Sequence, residues 1–373
     1  MMISVKGVAA LGIVCGLVAL TVFAFAMYAN NSRSTPPFHF WVAGYNGGLY
    51  YYNASGLERI QMPTYRDLTD IAWRHDHSYA LAVGRNDTIL KYDGQKAVLI
   101  NSTGISSTVS FYGVSWKFDD SEALIVGANG TVARYDGINV TLLSSGFTNT
   151  IYAVSWNPVN GVALLAGNAT DENGLLAQYD GSKFTRINAT RIFAHKDPYV
   201  LYAIDWSPTG RYALIAGSWA TLYRYDSGAL TQINMLQLFG NDVNDAHWIR
   251  AVKFNSFDGT ALIVGQHGTV ILYDRGALTR TRTYSTPTGA EDDLIRNAQA
   301  TDAECSTKPW YDLHCVGHFW GVEWIPGTKI AYAVGATVPD GRGQTSVIAR
   351  ISDMKVQLVS HGQVLPLTDI SNH

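Results

Sequence analysis

Residues 111–143 read FYGVSWKFDDSEALIVGANGTVARYDGINVTLL. The same plan is written again at 151–187 (IYAVSWNPVNGVALLAGNATDENGLLAQYDGSKFTRI) and at 201–233 (LYAIDWSPTGRYALIAGSWATLYRYDSGALTQI). Each unit holds four apolar runs. The first, as in YAVSW, alternates and is aromatic-rich, which suits an inner strand packed between neighbours. Asn-Pro, Ser-Pro or Asp-Asp then makes a turn. The second, ALIVG, is continuously apolar and should be buried on both faces. A Gly-containing turn such as Ala128-Asn129-Gly130 follows. The third run ends in Tyr-Asp-Gly, another hairpin turn. The fourth is short and more polar, as an outer edge should be.

Outward from these units, residues 70–100, 249–281 and 319–359 follow the same plan, the last more loosely. The glycine that ends the second run falls at 44, 84, 127, 167, 217, 265 and 335, in steps of 40, 43, 40, 50, 48 and 70. Short strands repeating every 40–50 residues indicate the blades of a propeller. The unit from His39 to Ile60 has the second, third and fourth runs (FWVAG, LYYYN, LERI) and lacks the first. The C-terminal LPLTDISNH echoes the LTDIAW that opens the next unit at 68–73. A C-terminal strand completing the first blade would remove the free edge of an open ring. The expectation is an all-β, seven-bladed β-propeller of four-stranded antiparallel blades over residues 38–373, with an insertion at 282–318.

The stretches V-S-W-N-P and A-L-L-A-G, followed by G-T-V-x-R-Y-D-G, resemble those of the WD-repeat and YVTN-like β-propellers. Tyr-Asp at 92–93, 135–136, 179–180, 225–226 and 273–274 stands where that family has Trp-Asp. The resemblance covers nearly all of 38–373. It implies a scaffold that binds partners. The Gly-His that usually opens a WD repeat is missing, so the family's His-centred hydrogen-bond network does not carry over.

Composition bounds the class. With 47% hydrophobic and 12% aromatic residues the chain is too apolar to be disordered. A net charge of −3 without a Lys/Arg run argues against nucleic-acid binding. At the N-terminus, residues 7–29 carry no charge, enough to cross the bilayer as a helix. Lys6 on its N-terminal side keeps residues 1–6 in the cytoplasm. Residues 30–37 form a linker, and the propeller lies on the extracytoplasmic side of a cell membrane. A cleaved signal peptide is the competing reading, with Ala24-Phe25-Ala26 as the site.

Two features agree with export. Outside the apolar segment the only cysteines are Cys305 and Cys315, an even pair expected to form a disulfide. Eight N-x-S/T sequons stand at Asn30, Asn53, Asn86, Asn101, Asn129, Asn139, Asn168 and Asn188, all before residue 190, which suggests a glycosylated surface.

No catalytic, cofactor-binding or metal-binding constellation emerges. His75-Asp76-His77 lacks a further spaced ligand. Glu291-Asp292-Asp293 lacks the alternating oxygens of a calcium loop. His314 and His318 flank Cys315, whose simpler partner is Cys305. Ser256-Phe257-Asp258-Gly259-Thr260 is a partial match to the Asp-box of sialidase-like propellers, without its Trp. Recurrent Tyr and Trp read as core packing.

Binding has more to work with. The long connections at 188–200, 234–248 and 282–318, and the loop 336–344, lie around blades five to seven. The sequons Asn86, Asn101, Asn129, Asn168 and Asn188 lie on the same face around blades two to four. The unglycosylated half is the expected contact surface for protein or glycan partners in the envelope. Trp310, Tyr311, His247 and Trp248 are its aromatic anchors; for Trp248, Phe319 and Trp320 the favoured reading is that they begin inner strands and pack the core. The expected function is a membrane-anchored, extracytoplasmic, glycosylated binding scaffold, free-standing or as a fixed subunit of a membrane or cell-envelope complex. The alternative is an extracellular propeller enzyme, a glycoside hydrolase or a cofactor- or metal-dependent one.

Overall fold

The computed structural model describes residues 39–361 and 367–372, apart from 54, 169–173, 190–199, 236–237, 240–247, 267, 282, 286–290, 294–317 and 337–345. The apolar segment 7–29, Asn30, Cys305, Cys315, Trp310, Tyr311 and His247 lie outside the described residues. Among the described residues no helix is long and apolar enough to cross a membrane.

Seven sheets succeed one another along the chain, and their innermost strands touch in cyclic order, so the ring closes. Blades two to six each consist of four consecutive antiparallel strands. In blade two these are Leu68–Trp73, Ala80–Gly84, Thr88–Tyr92 and Ala97–Leu99. Blade one takes Phe40–Gly44, Gly48–Asn53 and Gly56–Ile60 from the start of the propeller. Its innermost strand, Leu367–Asn372, comes from the C-terminal end and pairs antiparallel with Phe40–Gly44, Val42 opposite Ile370.

Blade seven departs from the expected four strands. Thr283–Ser285 adds in parallel to the outer strand Lys355–His361, and Glu291–Asp293 pairs with Thr283–Ser285, making six strands. The insertion therefore begins as a sheet extension rather than as a free loop. The three acidic residues 291–293 form the edge strand of this sheet.

The second strands are buried throughout: every residue of Ala80–Gly84, Ala123–Gly127, Ala163–Gly167 and Ala261–Gly265 is covered. Their side chains pack between blades. Leu81, Val83 and Ile89 of blade two meet Phe111, Trp116 and Ile125 of blade three. Burying one such side chain contributes roughly 1.5–3 kcal/mol, against about 0.5–1.5 for a net hydrogen bond. The blade–blade faces thus hold the ring together.

Tyr-Asp-Gly is a turn module. The buried Tyr92, Tyr135 and Tyr179 donate their hydroxyls to the carbonyls of Gly94, Gly137 and Gly181 at 2.8, 2.7 and 2.9 Å. The Oδ1 atoms of Asp93, Asp136 and Asp180 each accept two backbone N–H groups of the turn, at 2.7–2.9 Å. These bonds hold the three carboxyls below the usual carboxylate range.

Candidate functional site

The first strand of each blade lines the channel, and its register explains what points inward. Alternation would place residues one, three and five of FYGVSW on one face. Instead the pairing with the second strand slips between Phe111 and Gly113, and the same slip recurs at 68/70, 151/153, 201/203, 249/251 and 319/321. Each slip is a β-bulge at the second residue. It resets the phase, so that Phe111, Val114 and Trp116 are buried while Tyr112 and Ser115 are only half-buried. The glycine ending the second strand permits the bulge: a Cβ on Gly127, Gly217 or Gly265 would collide with the carbonyl of Ser110, Val200 or Trp248. The repeated glycine is thus required by close approach.

The bulged residues are Thr69, Tyr112, Tyr152, Tyr202, Arg250, Trp320 and, on the closing strand, Thr368, and all seven line one central cavity of ≈ 860 Å³. At its mouth they form an aromatic arc. The ring of Tyr152 lies 5.1 Å from Tyr112 and 5.3 Å from Tyr202, and Tyr202 lies 6.0 Å from Trp248. Trp320 lies 6.1 Å from Tyr45 of blade one and 6.4 Å from His318. The Arg250 guanidinium sits 4.2 Å over Tyr202 and 4.8 Å over Trp248. Its Nε is buried without a hydrogen-bond partner. Burial lowers its pKa, opposed by the nearby hydroxyls of Tyr202, Tyr152 and Tyr45.

Deeper in the channel the charges are paired. Lys253 Nζ lies 3.0 Å from Glu323 Oε2, and Asp205 is also close. Glu323, and then desolvation opposed by Asp205, set the Lys253 pKa above the usual lysine value. Burial pushes Asp205 up to about 6 and also raises Glu323. Asp70 and Asp369 stand against each other where blade two meets the closing strand; burial, and for Asp369 the Asp70 carboxylate, raise both. These carboxylates also clip neighbouring blades. Asp70 accepts the Val114 N–H at 2.6 Å, and Asp205 accepts the Phe254 N–H at 2.7 Å. Innermost strands have no strand partner on the channel side, so the preceding blade supplies acceptors. The terminal tryptophans act likewise: Trp116, Trp206 and Trp324 donate Nε1 to the carbonyls of Ala72, Ser155 and Lys253 at 3.0–3.1 Å.

The sequence-derived candidates distribute as follows. Phe319 is wholly buried core, whereas Trp248 and Trp320 stand half-buried at the mouth. The recurrent tryptophans that end the first strands pack the core as expected. Tyr112, Tyr152 and Tyr202 do not; reading them as core is corrected, because the bulge turns them into the channel. His75 Nδ1 lies 2.9 Å from Asp120 Oδ1, and Asp76 pairs with Arg74 at 2.8 Å, so both belong to a clip between the turns that follow the first strands of blades two and three. Among the described residues no group of three His, Cys, Asp or Glu could hold a metal. Asn86 and Asn129 occupy left-handed positions (φ 54 and 55°) in the exposed turns after the second strands, at the mouth end. Asn101 and Asn188 are exposed at the same end; Asn168 is half-buried. Asn53 and Asn139 sit in the turns of the opposite end.

Residues 188–226, within blade five, match the family described as "WD domain, G-beta repeat". The chain is a seven-bladed β-propeller, one stretch of which matches a WD repeat. No curated protein matches it. A structure titled "YCF48 bound to D1 peptide" is similar at 14% identity and a TM-score of 0.51, over 80% of this chain and 82% of that one. A functionally unknown protein from Desulfotomaculum acetoxidans DSM 771 is similar at 13% identity and a TM-score of 0.55, over 90% of this chain and 99% of that one. At such identities the likeness is one of fold.

Proposed function

We propose that this propeller is an exported, membrane-anchored scaffold that holds a protein partner at the aromatic mouth of its channel. The carrying observation is the half-buried arc Tyr112–Tyr152–Tyr202–Trp248, whose three tyrosines are turned toward the opening by the bulge in their blades. Aromatic side chains dominate the energetics of recognition surfaces, and a bulge that re-aims a side chain is commonly found beside a working site. A propeller of the same fold has been solved with a peptide bound. The uncharged segment 7–29 supplies the anchor. Glycans on Asn86, Asn101 and Asn129 would fence the side of blades two to four and leave Trp248 and Trp320 accessible.

Photocrosslinking in the native membrane tests the reading. A photoreactive phenylalanine at Tyr152 should capture one discrete polypeptide. The same group at Phe257, 61% exposed in a turn at the opposite end of the channel, should not. Equal capture from both positions, or none from Tyr152, rejects the mouth as the contact. A glycosidase-sensitive shift in mobility and retention in the membrane pellet are the expected results for sequons and anchor.

A further inference from the structure

Of the arginine and lysine side chains that line the cavity, one has no carboxylate partner among the described residues. Arg85 pairs with Asp67 at 3.3 Å, Arg74 with Asp76 at 2.8 Å, and Lys253 with Glu323 at 3.0 Å. Arg250 has aromatic faces on two sides and a tyrosine hydroxyl, and among the described residues no carboxylate pairs with it. Holding a guanidinium half out of water without a counter-ion is costly. The aromatic faces return only part of that cost, less than a well-made charge-assisted pair would.

We infer that Arg250 is the specificity-determining residue of the mouth and that the ligand it receives is a carboxylate carried by a peptide. The inference rests on the mouth being the protein-binding site. A planar guanidinium matches a carboxylate with two parallel hydrogen bonds, and the bond is stronger where water is partly excluded. Below it, Asp70, Asp369, Asp205 and Glu323 line the channel against one lysine. An anion is therefore attracted at the level of Arg250 and repelled from going deeper, which fixes its depth.

The tyrosines favour a peptide over a sugar. A sugar ring needs a free aromatic face to lie on. Here the rings are tilted against one another at 47° and 57°, and the face of Tyr202 is covered by Arg250. Edges and hydroxyl groups remain, which suit the amides of an extended chain. The carboxylate can come from an acidic side chain or from a C-terminus; Arg250 reads the same chemistry in both.

Calorimetric titration of the full chain in detergent decides it, with three probes of one shape: Ac-Phe-Glu-Phe-NH2, Ac-Phe-Gln-Phe-NH2 and Ac-Phe-Gln-Phe-OH. At least one acid should bind tenfold or more tighter than the neutral amide, and which one does so assigns the source. Arg250→Gln should erase that preference, Arg250→Lys should restore part of it, and Arg85→Gln should leave it intact. Equal affinity for all three peptides overturns the carboxylate while leaving the arc as a peptide surface. So does a preference that survives in a folded Arg250→Gln. A hyaluronan tetrasaccharide that binds more tightly than every peptide overturns the peptide in favour of an acidic glycan. No saturable binding by any probe overturns the inference and the peptide-binding reading together.

Discussion

Arg250 and Lys253 stand on one strand, Ile249–Phe254, three residues apart, and both face the same channel. Lys253 has Glu323 at 3.0 Å and Asp205 on its other side. Arg250 has rings. A cation placed for stability is matched in charge by its neighbours, because a buried ion without a partner costs more than most contacts return. A cation matched only by rings keeps its charge available to something that comes and goes. The pair therefore separates a charge that holds blades together from one that waits for a ligand.

Removing the paired cation should have the largest effect. Lys253→Met leaves Glu323, 10% exposed, and Asp205 without their counter-ion. Breaking a buried pair from one side costs roughly 3–5 kcal/mol; because the Lys253 side chain is still 40% exposed to the channel, about 3 kcal/mol is expected. Urea denaturation measures it, and adding Glu323→Gln should recover part of the loss. A cost below that of a surface lysine would show that the triad is not structural.

Next comes the backbone that aims Arg250. Gly265→Ala places a methyl against the Trp248 carbonyl. Overpacking of this kind costs about 2 kcal/mol. It should also shift Trp248 and the bulge at Arg250, so acid-peptide binding should weaken together with stability. A destabilised Gly265→Ala that binds unchanged would mean that the bulge does not position the guanidinium.

The paired layer carries its own pH dependence. Asp205 keeps its proton in the fold up to about pH 6, whereas an unfolded aspartate loses it near pH 4. The folded state thus binds more protons in that window, and stability falls as pH rises through it. Asp205→Asn should reduce that decline, the remainder coming from Asp70, Asp369 and Glu323, which burial also raises. Below pH 4 the sign reverses: Asp93, Asp136 and Asp180, held below the ordinary range by turn amides, lose their contribution as they protonate. The raised lysine pKa keeps the Lys253 contribution intact until strongly alkaline pH. Denaturation midpoints of wild type and Asp205→Asn from pH 3 to 8 test this; parallel curves between 4 and 6 would contradict it.

The ring was legible because its causes repeat along the chain. The second runs read as buried on both faces since they are uninterrupted, and LTDI at 367–370 announces the closing strand by its likeness to LTDI at 68–71. The mouth was not legible, and one residue per strand explains why. Alternation assumes one residue per pleat, whereas the bulge at 112, 152, 202 and 250 inserts an extra one. Two signals were present. Position one of each first strand is always Leu, Ile or Phe, while position two varies from Thr to Tyr, Arg and Trp. The glycine that ends the second strand also recurs without a positive φ to demand it. Its repetition records close approach, and close approach marks the bulge. The six-stranded blade seven was hidden because its two added strands are three residues long and the first pairs Thr283 with Lys355, far along the sequence.

The smallest expected effect completes the contrast. Arg250→Met deletes two cation–π contacts worth about 0.5–1 kcal/mol each. It also removes a half-buried charge whose desolvation opposed folding, and its thioether stem keeps packing against Tyr202 and Trp248. These terms have opposite sign and similar size, so stability should change by less than about 1 kcal/mol. Acid-peptide binding should nevertheless be lost. On one strand, then, Lys253→Met should lower the denaturation midpoint strongly, whereas Arg250→Met should leave it nearly in place. A loss of 3 kcal/mol for Arg250→Met would place the arginine among the groups that hold the ring, and the difference between the two cations would disappear.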